Sequence, residues 1–157
     1  MKVLLAYATY SSGTDLASQL VTSLLTAHNI SVERKNIREV SPENLSDYDL
    51  VIFASPSWRT RKGDGYPHEF FLDFMEKPQA ENCRGRKFAI FGLGDRVYTH
   101  FCGAVDHLES FVQELGGVLL VPSLRIDGFY FNQEENEQKL REWTSQLLAL
   151  LPSPAAV

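Results

Sequence analysis

The chain has 157 residues, 44% of them apolar and 22% charged, with a formal net charge of −5. One domain is expected, with a core large enough to need no disulfide or metal staple; the acidic balance excludes a basic nucleic-acid surface and a polybasic membrane anchor. Cys83 and Cys102 form no Cys-x-x-Cys, the opening apolar run is too short for a signal peptide, and no stretch approaches the ~20 apolar residues of a membrane span, so a cytoplasmic protein is expected.

Residues 3–8 are continuously apolar, as a strand covered on both faces requires. The polar loop Thr9-Tyr10-Ser11-Ser12-Gly13-Thr14 follows, then a helix with Leu16, Leu20, Leu24 and Ala27 as its predicted apolar stripe. Residues 30–34 alternate as an edge strand would, and residues 50–54 and 88–91 read as two more buried strands. A helix carrying Val105, Leu108, Phe111, Val112 and Leu115 stops at Gly116-Gly117. Residues 118–121 are the predicted fifth strand. The last helix opens with Asn132 and Glu135 in a capping arrangement and buries Leu140, Trp143, Leu147 and Leu151. One domain over residues 1–151 and a disordered tail over 152–157 are therefore expected. The alternation predicts an α/β fold, a three-layer α/β/α sandwich on a five-stranded parallel sheet of order 2-1-3-4-5. Its ligand crevice falls at the carboxyl ends of strands one and three.

Three loops reach that crevice. In the first, four hydroxyls stand at a helix start within residues 9–14, more than an N-cap needs. Hydroxyls and free amides in such a place bind an anion without Lys or Arg. No Gly-x-x-x-x-Gly-Lys and no Gly-x-Gly-x-x-Gly occurs there, which excludes a P-loop and a dinucleotide fingerprint. The second loop, Ser55-Pro56-Ser57-Trp58-Arg59 onward to Pro67, puts Trp58 at the crevice mouth. Its ring serves either to stack on a flat ligand or to cover the core edge. The third, Gly92-Leu93-Gly94-Asp95 onward to Ala104, offers Tyr98 as a second flat face and two glycines that allow close backbone approach. An anion site flanked by two aromatic faces describes a pocket for a flat, phosphorylated cofactor.

Residues 91–95, Tyr98 and the run Phe101-Cys102-Gly103-Ala104-Val105-Asp106 resemble the flavodoxins, of the short-chain bacterial type, and the likeness extends over almost the whole chain. Leu124-Arg125-Ile126-Asp127-Gly128 also resembles that family, and Thr9, Ser11 and Thr14 match its phosphate motif, Thr/Ser-x-Thr-Gly-x-Thr. Ser12-Gly13 stands where the family usually has Gly-Asn. The resemblance implies a flavodoxin-like fold and one non-covalent FMN. Its phosphate would sit on Thr9, Tyr10, Ser11, Ser12, Gly13 and Thr14, and its ring between Trp58 and Tyr98. Ser55, Pro56 and Ser57 would line the ribityl side. Backbone groups near Asp95 and Cys102 would bind the pyrimidine edge, and Arg59, Gly92, Leu93, Gly94 and Phe101 would also be among the cofactor-binding residues. The implied function is a monomeric electron carrier, not an enzyme, shuttling low-potential electrons between a reductase and acceptor enzymes. An FMN-dependent quinone reductase of the same fold is the alternative.

The sequence departs from the family at Arg59-Thr60-Arg61-Lys62, where Gly-Asp usually follows the Trp. This run is expected to place three positive charges beside the flavin, or to be a solvated tip balanced by Asp64, Glu69 and Asp73. In the family the peptide after the Trp turns over on one-electron reduction. An Arg59 there would add ~1–2 kcal/mol, and with the nearby charge would draw the two one-electron potentials together. Cys102, at a helix start, is read as a buried thiol beside the cofactor, although that position can also lower a thiol pKa. His100 is read either as exposed or as near the flavin edge. His28, His68 and His107 have no metal-ligand spacing.

Overall fold

The structure, a computed structural model, describes residues 1–81 and 83–152. The expected tail beyond 152 lies outside the described residues. Strand β1 (Lys2–Tyr7) leads through a polar loop to helix α1 (Gly13–Ala27), then to β2 (Ser31–Asn36). Two short 3-10 turns, Ile37–Glu39 and Pro42–Asp47, replace a helix before β3 (Leu50–Pro56). A hairpin of β4 (Trp58–Thr60) and β5 (Gly63–Tyr66) precedes helix α2 (Glu69–Glu76). Then come β6 (Lys87–Gly94), α3 (Gly103–Glu114), β7 (Val118–Leu119), β8 (Leu124–Asp127) and α4 (Gln133–Leu150).

The main sheet is parallel, in the order β2-β1-β3-β6-β7, with β8 also on β6. This is the predicted order 2-1-3-4-5, with the fifth strand in two pieces. Leu120 N–H still reaches Phe88 O (2.8 Å), but Pro122 has no N–H, and its carbonyl accepts a bond from Trp143 Nε1 (3.0 Å) on α4. The chain leaves the ladder there and rejoins it at Leu124↔Phe91.

Side chains alternate across β1, β3 and β6 and feed two cores. Leu5, Ile52 and Phe91 pack under α1 and α4 with Val21, Leu25, Leu140 and Trp143. Leu4, Phe53 and Phe88 pack under α2 and α3 with Phe71, Phe74, Leu108 and Phe111. The stripe predicted for α1 is rotated by about one residue. Thr14, Ala17, Ser18, Val21 and Leu25 are buried, whereas Leu16 is 40% exposed and Leu20 and Leu24 lie at the border. Small Ala17 and Ser18 let the helix lie close to the sheet, and the same rotation turns the Thr14 hydroxyl inward. At α4 the Asn132 side chain makes no cap bond. Buried Asn136 instead donates to the carbonyls of Asp127 (3.0 Å) and Gly128 (3.3 Å). Among the described residues no helix is long and apolar enough to cross a membrane.

Candidate cofactor site

The carboxyl ends of β1, β3 and β6 carry the three loops, as a parallel sheet demands. The first is stretched between β1 and the N-terminus of α1. Leu16 N–H, bonded to Ser12 O (2.9 Å), is the first helical amide to find a carbonyl, so the amides before it face outward as donors. Ser12 bends the chain with a left-handed φ of +68°. Gly13 follows where a Cβ would stand 3.2 Å from Leu93 and 3.5 Å from Tyr130. Tyr130 also ties the loop from outside, its hydroxyl donating to Ser11 O (2.6 Å). Two buried hydroxyls here, Thr9 Oγ1 and Thr14 Oγ1, have no hydrogen-bond partner. A buried hydroxyl without a partner is costly. Two of them beside a helix N-terminus fit an anion that supplies the missing bonds.

The hairpin β4–β5 forms one wall of an adjoining cavity of about 410 Å³, within the usual size range of small-molecule sites. The loop after β6 forms the opposite wall. Of the predicted residues, Ser57, Trp58, Arg59, Asp95, Tyr98 and Cys102 line it. Trp58 is 54% and Tyr98 64% exposed, a large apolar surface to leave facing one cleft. Tyr10 of the first loop sets its ring 5.7 Å from that of Trp58. The anion loop thus borders the aromatic cleft.

Several predicted residues serve the walls from behind. Ser55 Oγ donates to Pro56 O (2.9 Å) and accepts His68 N–H (3.0 Å). Ser57 N–H donates to Leu93 O (2.8 Å), and Ser57 Oγ accepts Ala104 N–H (2.9 Å) at the start of α3. The glycines of the third loop allow close packing of α3. A Cβ on Gly92 would meet Val105 at 2.6 Å, and one on Gly94 would meet Cys102 Sγ at 2.9 Å. Close helix packing requires a glycine at both positions. Leu93 is buried in the core, and Phe101 packs against the α3 core with Arg96 over its ring (5.5 Å). Neither side chain reaches the cleft.

Cys102 is fully buried, with its thiol directed at the carbonyls of Gly92 and Ile126 (3.7 Å each). Burial pushes the thiol up to about 12, the reverse of helix-start activation. Tyr98 is held outward by a turn in which Tyr98 N–H meets Asp95 O (3.1 Å) and Val97 N–H meets Asp95 Oδ1 (3.0 Å).

The basic run divides. Arg61 is turned away from the cleft onto α2, where it pairs with Glu69, Asp73 (3.0 Å) and Glu76 (3.1 Å), and Lys62 pairs with Glu76 (3.4 Å). Of the three cations only Arg59 lines the cleft, its side chain 84% exposed and 3.9 Å from Asp64. The expectation of three charges beside the ligand is corrected accordingly. Asp64, Gly65, Val97, Thr99 and His100 also line the cavity, and only His100 had been weighed for it. Asp64 and Gly65 join because Arg61-Lys62 makes a turn and folds β5 back beside β4. The glycines at 63 and 65 were the available signal for it.

A parallel sheet of this order with an anion loop after its first strand and an aromatic cleft after its third defines an α/β flavoprotein of the flavodoxin-like class. The sequence profile of the flavodoxins matches residues 5–143. The chain is 36% identical over 137 residues to a probable flavodoxin 2 of Bacillus subtilis, covering 87% of this chain and 88% of that one. It is 33% identical over 128 residues to a flavodoxin of Maridesulfovibrio salexigens, covering 81% and 86%. Its fold is similar to the crystal structure of oxidised Flavodoxin 2 from Bacillus cereus, with a TM-score of 0.81 and 28% identity over 96% of this chain and 100% of that one. The chain belongs to the flavodoxin family, and it is an FMN-binding electron-transfer protein.

Proposed function

We propose that FMN lies with its phosphate on residues 9–14 and its ring in the cleft between Trp58 and Tyr98. The observation that carries this placement is the pair of unpartnered buried hydroxyls, Thr9 Oγ1 and Thr14 Oγ1, directly beside that cleft. The phosphate takes bonds from those hydroxyls and from the free amides of residues 12–15. Ser55, Pro56 and Ser57 border the ribityl chain. The loop around Asp95 and Cys102 borders the polar edge of the ring. Bound FMN supplies reversible uptake and release of single electrons. The chain's own residues hold it, screen both ring faces from water and surround it with charge. Arg59 is the cation of that surround, and Asp64 and Asp95 are its anions.

The protein acts as a monomeric, cytoplasmic carrier between a reductase and acceptor enzymes, with no substrate of its own. An anaerobic reductive titration of the FMN-loaded protein tests this reading. Two resolved one-electron steps, with no NAD(P)H oxidation unless a separate reductase is added, are expected. Direct two-electron reduction by NAD(P)H alone would overturn it in favour of a reductase. Thr14→Val is expected to weaken FMN binding about tenfold or more, as losing a charge-assisted bond does.

A further inference from the structure

His68 does not line the cleft, yet three segments that build the site meet on it. Its main-chain N–H donates to Ser55 Oγ (3.0 Å) at the end of β3. Its ring Nδ1 accepts Phe70 N–H (3.0 Å) in the first turn of α2. The Thr9 backbone, in the loop after β1, lies close enough to the ring to act on its ionisation. One ring face stacks on Tyr10, centroids 4.0 Å apart at 24°. The Tyr10 hydroxyl in turn accepts Glu69 N–H (3.3 Å). Because Phe70 N–H can only donate, Nδ1 carries no proton. The imidazole proton therefore sits on Nε2.

We infer that His68 is the positioning residue of the anion loop, holding the Tyr10 ring against β3 and α2 so that the hydroxyls of Thr9 and Thr14 stand ready for the FMN phosphate. The inference rests on the placement of the phosphate at residues 9–14. No charge from His68 is needed for it, and charge works against it. An imidazolium would turn an Nδ1–H onto Phe70 N–H and break the clamp. Burial holds the ring's ionisation below the ordinary histidine range, against the pull of Glu69, the Thr9 carbonyl and Asp73. Tyr10 is the titratable group facing it from the loop, and Arg38 lies over the neighbouring Phe70 ring (4.9 Å).

The test compares FMN with riboflavin, which lacks the phosphate, as both are titrated against the full chain between pH 8 and pH 5. His68→Asn keeps an oxygen for the Phe70 amide and loses the face that stacks on Tyr10. FMN binding is expected to fall about tenfold in the variant, with riboflavin changed less than about twofold. The wild type's preference for FMN is also expected to shrink on acidification more steeply than the variant's. The phosphate's own ionisation near pH ~6 is common to both proteins and cancels. Equal loss for both flavins, or no loss for either, overturns the inference. So does a wild type that gains on the variant at low pH, since the imidazolium would then be a counter-charge. A wild type with no preference for FMN over riboflavin refutes the phosphate placement itself. If His68→Asn does not fold, the same titrations on His68→Gln decide.

Discussion

Ser12 and Gly13 exchange the roles their names suggest. Ser12 holds the left-handed backbone, which costs an L side chain ~1–2 kcal/mol. Gly13 is needed for want of space against Leu93 and Tyr130. Ser12→Gly should raise the unfolding free energy by about 0.5–1 kcal/mol in a urea melt, and Gly13→Ala should lower it. Arg59 is the one cation of the basic run that lines the cleft. An exposed cation stabilises the fully reduced, negatively charged flavin by a screened Coulomb interaction. Arg59→Ala should therefore lower the second one-electron potential by about 20–40 mV, read by potentiometry at low salt. Cys102 should stay silent to a thiol reagent at pH 8 in the folded protein, since its thiol lies up near 12. It should react only after denaturation.

At the scale of elements, the hairpin β4–β5 is pinned on two sides. On one side Arg61 spans Glu69, Asp73 and Glu76, which stand at i, i+4 and i+7 on one face of α2. On the other, Gly65 and Gly103 touch: a Cβ on Gly103 would stand 2.4 Å from Gly65 O. The two pins differ in physics. The first is exposed and ionic, so salt should loosen it. Arg61→Ala should release FMN faster than wild type at low salt, and the two rates should converge as ionic strength rises. The second is steric and indifferent to salt, so Gly103→Ala should weaken FMN binding at every ionic strength. The hairpin was the least legible element in the sequence. A three-residue strand beginning at Trp58 has no pattern of its own, and its basic tip reads as solvated until α2 supplies the carboxylates. The strands β1, β3 and β6 were legible, because burial on both faces forces continuous apolar runs. The face of α1 was misread, because its leucines mark the border while small residues and a threonine mark the contact.

Across the whole molecule, stability should depend on pH in a direction set by His68 and His107. Burial holds the folded-state ionisation of both below the ordinary value of 6.5, so as pH falls below 6.5 the unfolded chain takes the protons first. Unfolding free energy should therefore decline with acidification from about pH 6.5 until the folded rings themselves protonate, and His68→Asn should partly flatten the profile there. The parallel order was readable from alternation alone, and the crevice followed from where that order reverses. The fifth strand was not readable in full, because its second half rejoins the sheet only after the proline has carried the chain out to Trp143. That interruption has a consequence for how the molecule behaves in a crowd. A sheet's outer strands are where one chain can recruit another. Here one margin is cut into pieces of two and four residues, and the other, Ser31–Asn36, carries Glu33, Arg34 and Lys35 in succession. Neither margin offers a long apolar template for strand-to-strand aggregation.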